Sequence, residues 1–417
     1  MRNPLKLFGV YFGLCLVLAG GVALPAAAQI KKVSNALVPS VTCPPPAASS
    51  KPTPTPENPL LTDLRGTLQL ANWDAVQTAG WNNDNHTAAL GGLLQSCTAL
   101  KEQPAWKAAC EAAAQLSSSN EPAAVSRFFE TFFIPHQVIN ADNSTSGTIT
   151  GYYEPLLNGS RVATERYRYP LYAAPDDMIT VDLTEVHPDL KHKRLRGRLA
   201  GNKLVPYYTR GEIEAGTAPL KGRELVYVDD PVESFFLHIQ GSGQVKFEDG
   251  TSMRVGYADQ NGHPFRGMAR ALMFGGEIGI ESASMQGIKS WAQKNPGKVQ
   301  AYMNCNPSYV FFKELPGDLS GPIGTLGVPL TAERSIAVDQ RVVPLGVPVF
   351  LSTTFPNSKK PLQRLMLAQD TGGAINGGVR ADFFWGFGDK AGEQAGKMKQ
   401  SGMMWVLLPK GWTPPIN

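Results

Sequence analysis

One aspartate stands where it could transfer a proton. In the segment "AQDTGGAINGGVRADFFWG" (368–386), Asp370 is followed by Thr371, Gly372 and Gly373. The glycines remove side-chain bulk beside the carboxyl and permit unusual backbone angles, so a large substrate could approach it closely. If apolar neighbours exclude water, the pKa of Asp370 rises and the group can act as a general acid. Asp-Thr-Gly is also typical of a turn in which the aspartate bonds its own backbone, so spacing alone leaves both interpretations open.

Two more aspartates and a run of aromatic residues could support such an acid. Asp339 lies in "SIAVDQRVVPLG" and Asp382 in "VRADFFWG", and either could assist Asp370 or be a structural residue at a strand end. Phe383, Phe384 and Trp385 follow directly. Their rings could exclude water from the carboxylates and stack on flat, weakly polar ligand faces such as sugar rings. The alternative is that they pack in the core.

A second polar motif, "HIQGSG" (238–243), contains His238, Gln240 and Ser242. A Ser–His pair would suggest nucleophilic catalysis, but the strand–turn–helix context of a nucleophile elbow is missing. We therefore expect Gln240 and Ser242 to donate hydrogen bonds to a polar substrate. The basic segment "KHKRLRGR" (191–198) is either solvated or a weak binding site for an anionic polymer.

The surrounding elements are predicted from residue patterns. "RLMLA" (364–368) is a strand that delivers Asp370 to its turn. From about residue 147, short β-branched and aromatic runs divided by turn residues predict strands, including "SFFLHIQGSGQVKFEDGTSMRVGY" (234–257) with a hairpin at Asp249-Gly250. Apolar residues at helical spacing predict helices within 60–135, at 266–276 and at 283–294. With 42 glycines and 33 prolines, the 417-residue chain is predicted to be mainly β.

The N-terminus has the features of an export signal. Arg2 and Lys6 precede an apolar run and the small residues "PAAAQ", which predicts a signal peptide over 1–28, with an uncleaved membrane anchor as the alternative. No cysteine follows a small-residue box, so lipidation is not expected. A proline-rich linker occupies 29–59. Loss of Arg2 and Lys6 lowers the net charge from +4 to +2, which argues against a nucleic-acid partner.

Four cysteines follow the predicted signal peptide: Cys43, Cys97, Cys110 and Cys305. Export leads to an oxidising compartment, where disulfides persist. Cys97 and Cys110 flank a proline-containing turn between two helical stretches, so we expect a disulfide between them. Their spacing, without a histidine cluster, argues against a metal site.

Seven motifs in order along the chain resemble the membrane-bound lytic murein transglycosylase A family. They are "GYYEP" (151–155), "FFLHIQGSG" (235–243), "GYADQNGHPF" (256–265), "NPSYVFF" (306–312), "GVPLTAERSIAVD" (327–339), "VVPLG" (342–346) and the segment 368–386. The C-terminal part resembles the three-aspartate domain, which Asp339, Asp370 and Asp382 would match. The resemblance covers about 147–410.

The resemblance implies an enzyme that cleaves the linkage between N-acetylmuramic acid and N-acetylglucosamine in peptidoglycan without water. The muramic 6-hydroxyl attacks its own anomeric carbon and leaves a 1,6-anhydro end, with no metal or organic cofactor. One residue, matched by Asp370, acts first as acid and then as base, and Asp382 and Asp339 either support it or only hold the fold. The alternatives are an inverting peptidoglycan hydrolase with a second carboxylate and a water, and a non-catalytic wall-binding module.

The resemblance also implies an architecture. It predicts a mainly β, α+β fold, in which a double-psi β-barrel with N-terminal helices (60–155 and 256–417) carries an inserted, smaller β-barrel domain (156–255). A groove between them would take the glycan, lined by Tyr152, Tyr153, Gln240, Ser242, Thr371, Gly372, Phe384 and Trp385. We expect a periplasmic monomer, with the outer membrane as a candidate site of association and cell-wall synthesis or division proteins as candidate partners.

Overall fold

The structure is a computed structural model that describes residues 41–45, 65–116, 121–190 and 195–412. The predicted signal peptide (1–28) and most of the predicted linker (29–59) lie outside these residues, as does the first half of the basic segment 191–198. No helix in the described ranges is both long enough and apolar enough to cross a membrane.

The described residues form ten α-helices and seventeen β-strands. The helices are α1 Trp73–Thr78, α2 Thr87–Leu100, α3 Pro104–Leu116, α4 Pro122–Phe132, α5 Arg210–Glu214, α6 Pro231–Gln240, α7 Met268–Phe274, α8 Met285–Lys294, α9 Pro296–Met303 and α10 Gly388–Lys397. The strands are β1 Gly66–Leu70, β2 Phe133–Asn140, β3 Gly147–Glu154, β4 Leu156–Ser160, β5 Tyr169–Tyr172, β6 Ile179–Thr180, β7 Arg196–Ala200, β8 Lys203–Pro206, β9 Glu224–Val228, β10 Ser242–Phe247, β11 Ser252–Gln260, β12 Val310–Leu315, β13 Ser335–Val338, β14 Pro348–Thr354, β15 Pro361–Asp370, β16 Arg380–Phe387 and β17 Lys399–Pro409.

The first sheet has eight strands in the order β1-β2-β17-β14-β15-β13-β16-β3. Because β3 pairs with both β16 and β17, six of these strands close into a ring. The pairs β13–β15 and β16–β3 are parallel, and the other pairs are antiparallel. The predicted strand that delivers Asp370 is β15, and the fold mixes helices with sheets as the α+β prediction required.

Helices α1–α4 pack on this sheet. Asn72 caps α1 by accepting a hydrogen bond from the Ala75 N–H, and Pro122 opens α4. Phe128 and Phe129 of α4 are buried in the main core. The helical prediction for 60–135 is wrong at Gly66–Leu70, because these residues pair antiparallel with β2 as an edge strand.

The second sheet has the order β12-β11-β10-β4-β9-β5 and its own apolar core, and a small third sheet has the order β6-β7-β8. The chain passes from the first sheet to the second through Pro155, between β3 and β4. Strand β12 lies at the edge of the second sheet and ends at Leu315. The second sheet therefore continues past the boundary predicted at residue 255.

The apolar run at 234–240, predicted as a strand, is helix α6. The Asp230 side chain accepts hydrogen bonds from the N–H groups of Val232 and Glu233, Pro231 occupies the first turn, and Gly241 ends the helix with a φ of 81°. These end signals decide the conformation, because a short apolar run alone fits a helix or a strand. The helices predicted at 266–276 and 283–294 correspond to α7 and α8.

The described residues contain two disulfides. Cys97 of α2 is bonded to Cys110 of α3. Cys43 is bonded to Cys305, 262 residues away, beside the core formed by α6–α9. This second pair was not predicted from the sequence. It fixes a short N-terminal segment, including Val41, against that core.

Candidate active site

The central strand β13 brings two of the three predicted aspartates to one place. Ala337 pairs with Asp370 of β15 on one side and with Asp382 of β16 on the other. Residues directly opposite each other on neighbouring strands point to the same face of a sheet. The two carboxylates therefore flank a methyl group, and no large side chain of β13 separates them.

Asp370 lies at the end of β15, half-buried, with both carboxylate oxygens hydrogen-bonded. The Thr325 N–H and hydroxyl each donate to Oδ1 at 3.0 Å, and the Tyr152 hydroxyl donates to Oδ2 at 3.2 Å. Burial raises the pKa of Asp370 above its ordinary value, although these hydrogen bonds and one from the Thr371 N–H oppose the rise. This carboxyl therefore holds a proton more readily than an exposed aspartate does.

Asp382 is the second acid of the pair and is also half-buried. The Thr150 hydroxyl donates to its Oδ1 at 2.6 Å. Burial raises the pKa of Asp382 to about 6, helped by the negative charge of Asp370 and opposed by Thr150 and Arg380. Because the two carboxylates repel each other, ionisation of one raises the pKa of the other.

Tyr152 and Phe384 lie on the same face of the sheet as the two carboxylates. They are register partners on β3 and β16, with ring centroids 5.1 Å apart, and both are buried in a small cluster with Ala337. Phe384 thus supports the Tyr152 ring and offers little surface to a ligand.

Asp339 does not join the pair. Its carboxylate is buried and bonded at 2.7 Å to both Nε and Nη2 of Arg341, and it accepts a hydrogen bond from the Gly377 N–H at 2.9 Å. Burial acts to raise the pKa of Asp339, but these bonds outweigh it and hold the pKa below its usual value. Arg341 also donates to Asn376, so Asp339 fixes the segment that follows the Asp370 turn.

Phe383 and Trp385 lie on the opposite face of β16, in the main core. Their ring centroids are 4.7 Å apart, and the Trp385 Nε1–H donates to the Met398 sulfur at 3.3 Å. The proposed stacking of these two rings on a sugar is therefore wrong. Side chains alternate along β16, so the residues one and three positions after Asp382 point away from it.

The turn after Asp370 is open. Thr371 and Gly372 are half-buried and Gly373 is exposed. A Cβ built on Gly373 would meet no atom within 4 Å, whereas one on Gly372 would approach the Ile375 side chain at 2.8 Å. A ligand can thus reach the carboxyl from the side of Gly373.

The remaining predicted residues lie at the junction of the two sheets. Tyr153 points to the opposite side of β3 from Tyr152, is buried, and has its hydroxyl 3.6 Å from the Met285 sulfur. Its N–H donates to Gln240 Oε1 at 3.0 Å, so Gln240 ties the end of α6 to β3. Ser242 begins β10 and is half-buried.

One buried ion pair at this junction was not predicted. Glu154, two residues beyond Tyr152 on the same face of β3, lies 2.9 Å from Nε of Arg254 on β11 and accepts a hydrogen bond from Gln244 at 3.2 Å. Burial raises the pKa of Glu154, with Arg254 and Gln244 opposing the rise. Thr150, Tyr152 and Glu154 thus form one polar row on β3, and each contacts a different charged group.

A polar cavity of about 470 Å³ lies on the Tyr153 side of the junction, away from Asp370. Its charges are largely paired, Arg166 with Asp229 at 3.0 Å and Lys289 with Glu233 at 2.5 Å. It contributes no group to the carboxylate pair.

Thr325 is the clearest residue that the sequence analysis missed. It lies in the long loop between β12 and β13, 45 positions before Asp370. The signal available was the length of this loop, since long segments without regular structure in compact domains are often functional.

Two family descriptions match the chain. The MltA specific insert domain matches residues 148–313, and the 3D domain matches residues 334–408. The membrane-bound lytic murein transglycosylase A of Escherichia coli strain K12 is 33% identical over 279 residues, which cover 65% of this chain and 68% of that protein.

Solved structures are similar as well. MltA from Neisseria gonorrhoeae is 40% identical with a TM-score of 0.70, over 81% of this chain and 91% of that one. Escherichia coli MltA with bound chitohexaose is 26% identical with a TM-score of 0.58, over 76% of this chain and 89% of that one.

Proposed function

Because the chain belongs to the membrane-bound lytic murein transglycosylase A family and is a peptidoglycan lytic transglycosylase, we propose that Asp370 performs both proton transfers of its reaction. The observation that carries this proposal is the half-buried carboxyl with a raised pKa beside an exposed glycine turn. Asp382 has a raised pKa too, but it lies within β16 and not at an open turn.

In the first step, the protonated Asp370 gives its proton to the oxygen that links N-acetylmuramic acid to N-acetylglucosamine. The bond from that oxygen to the muramic C1 breaks, and positive charge develops on the sugar ring. The muramic 6-hydroxyl then attacks C1, and the Asp370 carboxylate accepts its proton. The residue returns to its protonated state, and the product is a 1,6-anhydro end with no water added.

Asp382 supports these steps as a charge. In its ionised form it stabilises the developing positive charge on the ring. By the same repulsion that raises its own pKa, it favours the protonated form of Asp370. Asp339, held by Arg341, keeps the segment after the Asp370 turn in place.

The substrate is the glycan strand of peptidoglycan. Chitohexaose, bound by the Escherichia coli relative, is an oligosaccharide with the same type of backbone. We propose that the strand lies along the face of Asp370 and Asp382, with Thr371 and Gly372 at the turn and Gln240 and Ser242 on the side of the second sheet. Tyr152 contacts Asp370 through its hydroxyl and is not proposed to bind the sugar.

Three further assignments extend this proposal. The closed six-stranded ring with two parallel pairs has the strand number of a double-psi barrel, and we assign it to that fold. We propose that the second sheet is an inserted domain that begins at Leu156 and runs to Leu315. We propose export by the signal peptide at 1–28 to the periplasm, where the enzyme acts as a monomer, and the membrane-bound relatives favour association with the outer membrane.

Asp370→Asn tests the assignment. The variant is expected to lose glycan cleavage while keeping its fold, and the wild type is expected to release ends one water lighter than hydrolysed ends by mass spectrometry. Asp249→Asn is the matched control, because Asp249 also accepts bonds from a threonine N–H and hydroxyl but is exposed on a hairpin. Hydrated ends would select the inverting hydrolase with Asp382 as its base. Binding to sacculi without release of fragments would select a wall-binding module.

A further inference from the structure

The loop between β12 and β13 holds one oxygen of Asp370. Thr325 of this loop donates two hydrogen bonds to Asp370. The N–H of Leu326, also in the loop, donates to the Gln369 carbonyl at 3.0 Å. The loop contains no helix or strand, and one isolated bridge joins Ile323 to Pro329. The first half of the loop is contacted by a side chain of the second sheet.

Arg254 makes that contact from the second sheet. Its Nη1 donates to the Leu319 carbonyl at 2.5 Å and reaches the Gly321 carbonyl at 3.5 Å. On its other side the guanidinium lies against Glu154, with side chains only 12% and 1% exposed. A buried arginine fixed by a carboxylate has a rigid fork of donors, which suits it to hold two carbonyls in place.

We propose that Arg254, held by Glu154, is a positioning residue that fixes the loop from residue 316 to 334 so that Thr325 bonds Asp370. This deepens the proposed function and rests on it. Through this contact the second sheet affects Asp370 indirectly. Among the described residues, no side chain of the second sheet hydrogen-bonds Asp370 itself.

The consequence is a change in acid strength. The titratable groups that face Asp370 are Tyr152 on β3 and Asp382 on β16, and Arg380 lies near Asp382. Only the Thr325 bonds come through the loop. These bonds oppose the effect of burial, so losing them raises the pKa of Asp370. Because the free enzyme needs this group protonated, the alkaline limb of kcat/KM should move to higher pH.

The test compares pH profiles of kcat/KM on a soluble glycan strand. Arg254→Lys keeps a positive charge beside Glu154 but loses the fork. Arg254→Met combined with Glu154→Gln removes the contact without burying a lone charge. Both, and Thr325→Val, are expected to move the alkaline limb upward by on the order of half a pH unit or more. Adding Thr325→Val to Arg254→Lys should give no further shift.

Arg166→Met is the matched control. Arg166 also comes from the second-sheet region and pairs with an aspartate, Asp229, but it is 60% exposed and lines the cavity on the other side of β3. The alkaline limb of kcat/KM for Arg166→Met should stay at the pH of the wild type. If the Arg254 variants lose activity equally at every pH, Arg254 is only structural and the proposal is overturned. If Asp370→Asn stays active, the proposed function fails instead, whatever the Arg254 variants do.

Discussion

Neutralising Asp382 is expected to stabilise the protein while slowing its reaction. Burial raises the pKa of Asp382 from 3.8 to about 6. A rise of about two pH units corresponds to about 3 kcal/mol of difference between the folded and unfolded states. An asparagine at this position can still accept the Thr150 bond but loses the attraction of Arg380, so we expect Asp382→Asn to gain about 2 kcal/mol in the free energy of unfolding at about pH 7.5.

The sign of this effect depends on pH. Below 3.8 the group is protonated in both states and changes nothing. As pH rises from 3.8 through 6, the unfolded state ionises first, so the wild type loses stability that the asparagine variant keeps. Urea unfolding followed by circular dichroism at about pH 7.5 and about pH 3.5 measures this difference.

Asp249→Asn is again the control. Hydrogen bonds from Thr251 hold the pKa of Asp249 below its ordinary value, so neutralising it should bring no gain. Equal stabilisation by Asp382→Asn at both pH values would refute the reasoning, since the gain could not then come from ionisation. So would the absence of any gain at about pH 7.5. In the same preparation, kcat is expected to fall at least about tenfold, because charge stabilisation is lost.

Two substitutions test the two faces of the sheet. Tyr152→Phe removes the donor to Asp370 Oδ2 but keeps the ring on Phe384. The alkaline limb of kcat/KM should therefore move upward by on the order of half a pH unit, and an unmoved limb would contradict the assigned bond. Trp385→Phe should lower the free energy of unfolding by roughly 1 to 3 kcal/mol and leave KM unchanged, because the indole packs in the core. A raised KM at unchanged stability would indicate instead that the indole contacts the substrate.

Alternation alone predicts which face of β16 each side chain occupies. Asp382 and Phe384 share one face, and Phe383 and Trp385 share the other. Phe384 and Trp385 were both predicted to line the groove, although neighbouring residues of a strand lie on opposite faces. Asp382 lies on one face of β16, so the residues one and three positions after it, Phe383 and Trp385, lie on the other face, in the core.

Other features depend on contacts between distant segments. The strand before Asp370 is predictable from its apolar residues and its glycine turn. Thr325 is not, because a bond across 45 positions leaves no local pattern. The same holds for Cys43, whose partner Cys305 is 262 residues away. Helix α6 could have been predicted from the sequence, because Asp230, Pro231 and Gly241 are helix-end signals that outweigh an ambiguous apolar run.

Both oxygens of Asp370 are held by elements that continue into the second sheet. Tyr152, which bonds Oδ2, lies on β3, and β3 passes through Pro155 directly into β4. Thr325, which bonds Oδ1, lies on the loop that Arg254 fixes from β11. Each bond opposes the rise in pKa that burial causes. The strength of the acid therefore depends on how the second sheet sits against the first, and substitutions at their junction should change chemistry as well as glycan binding.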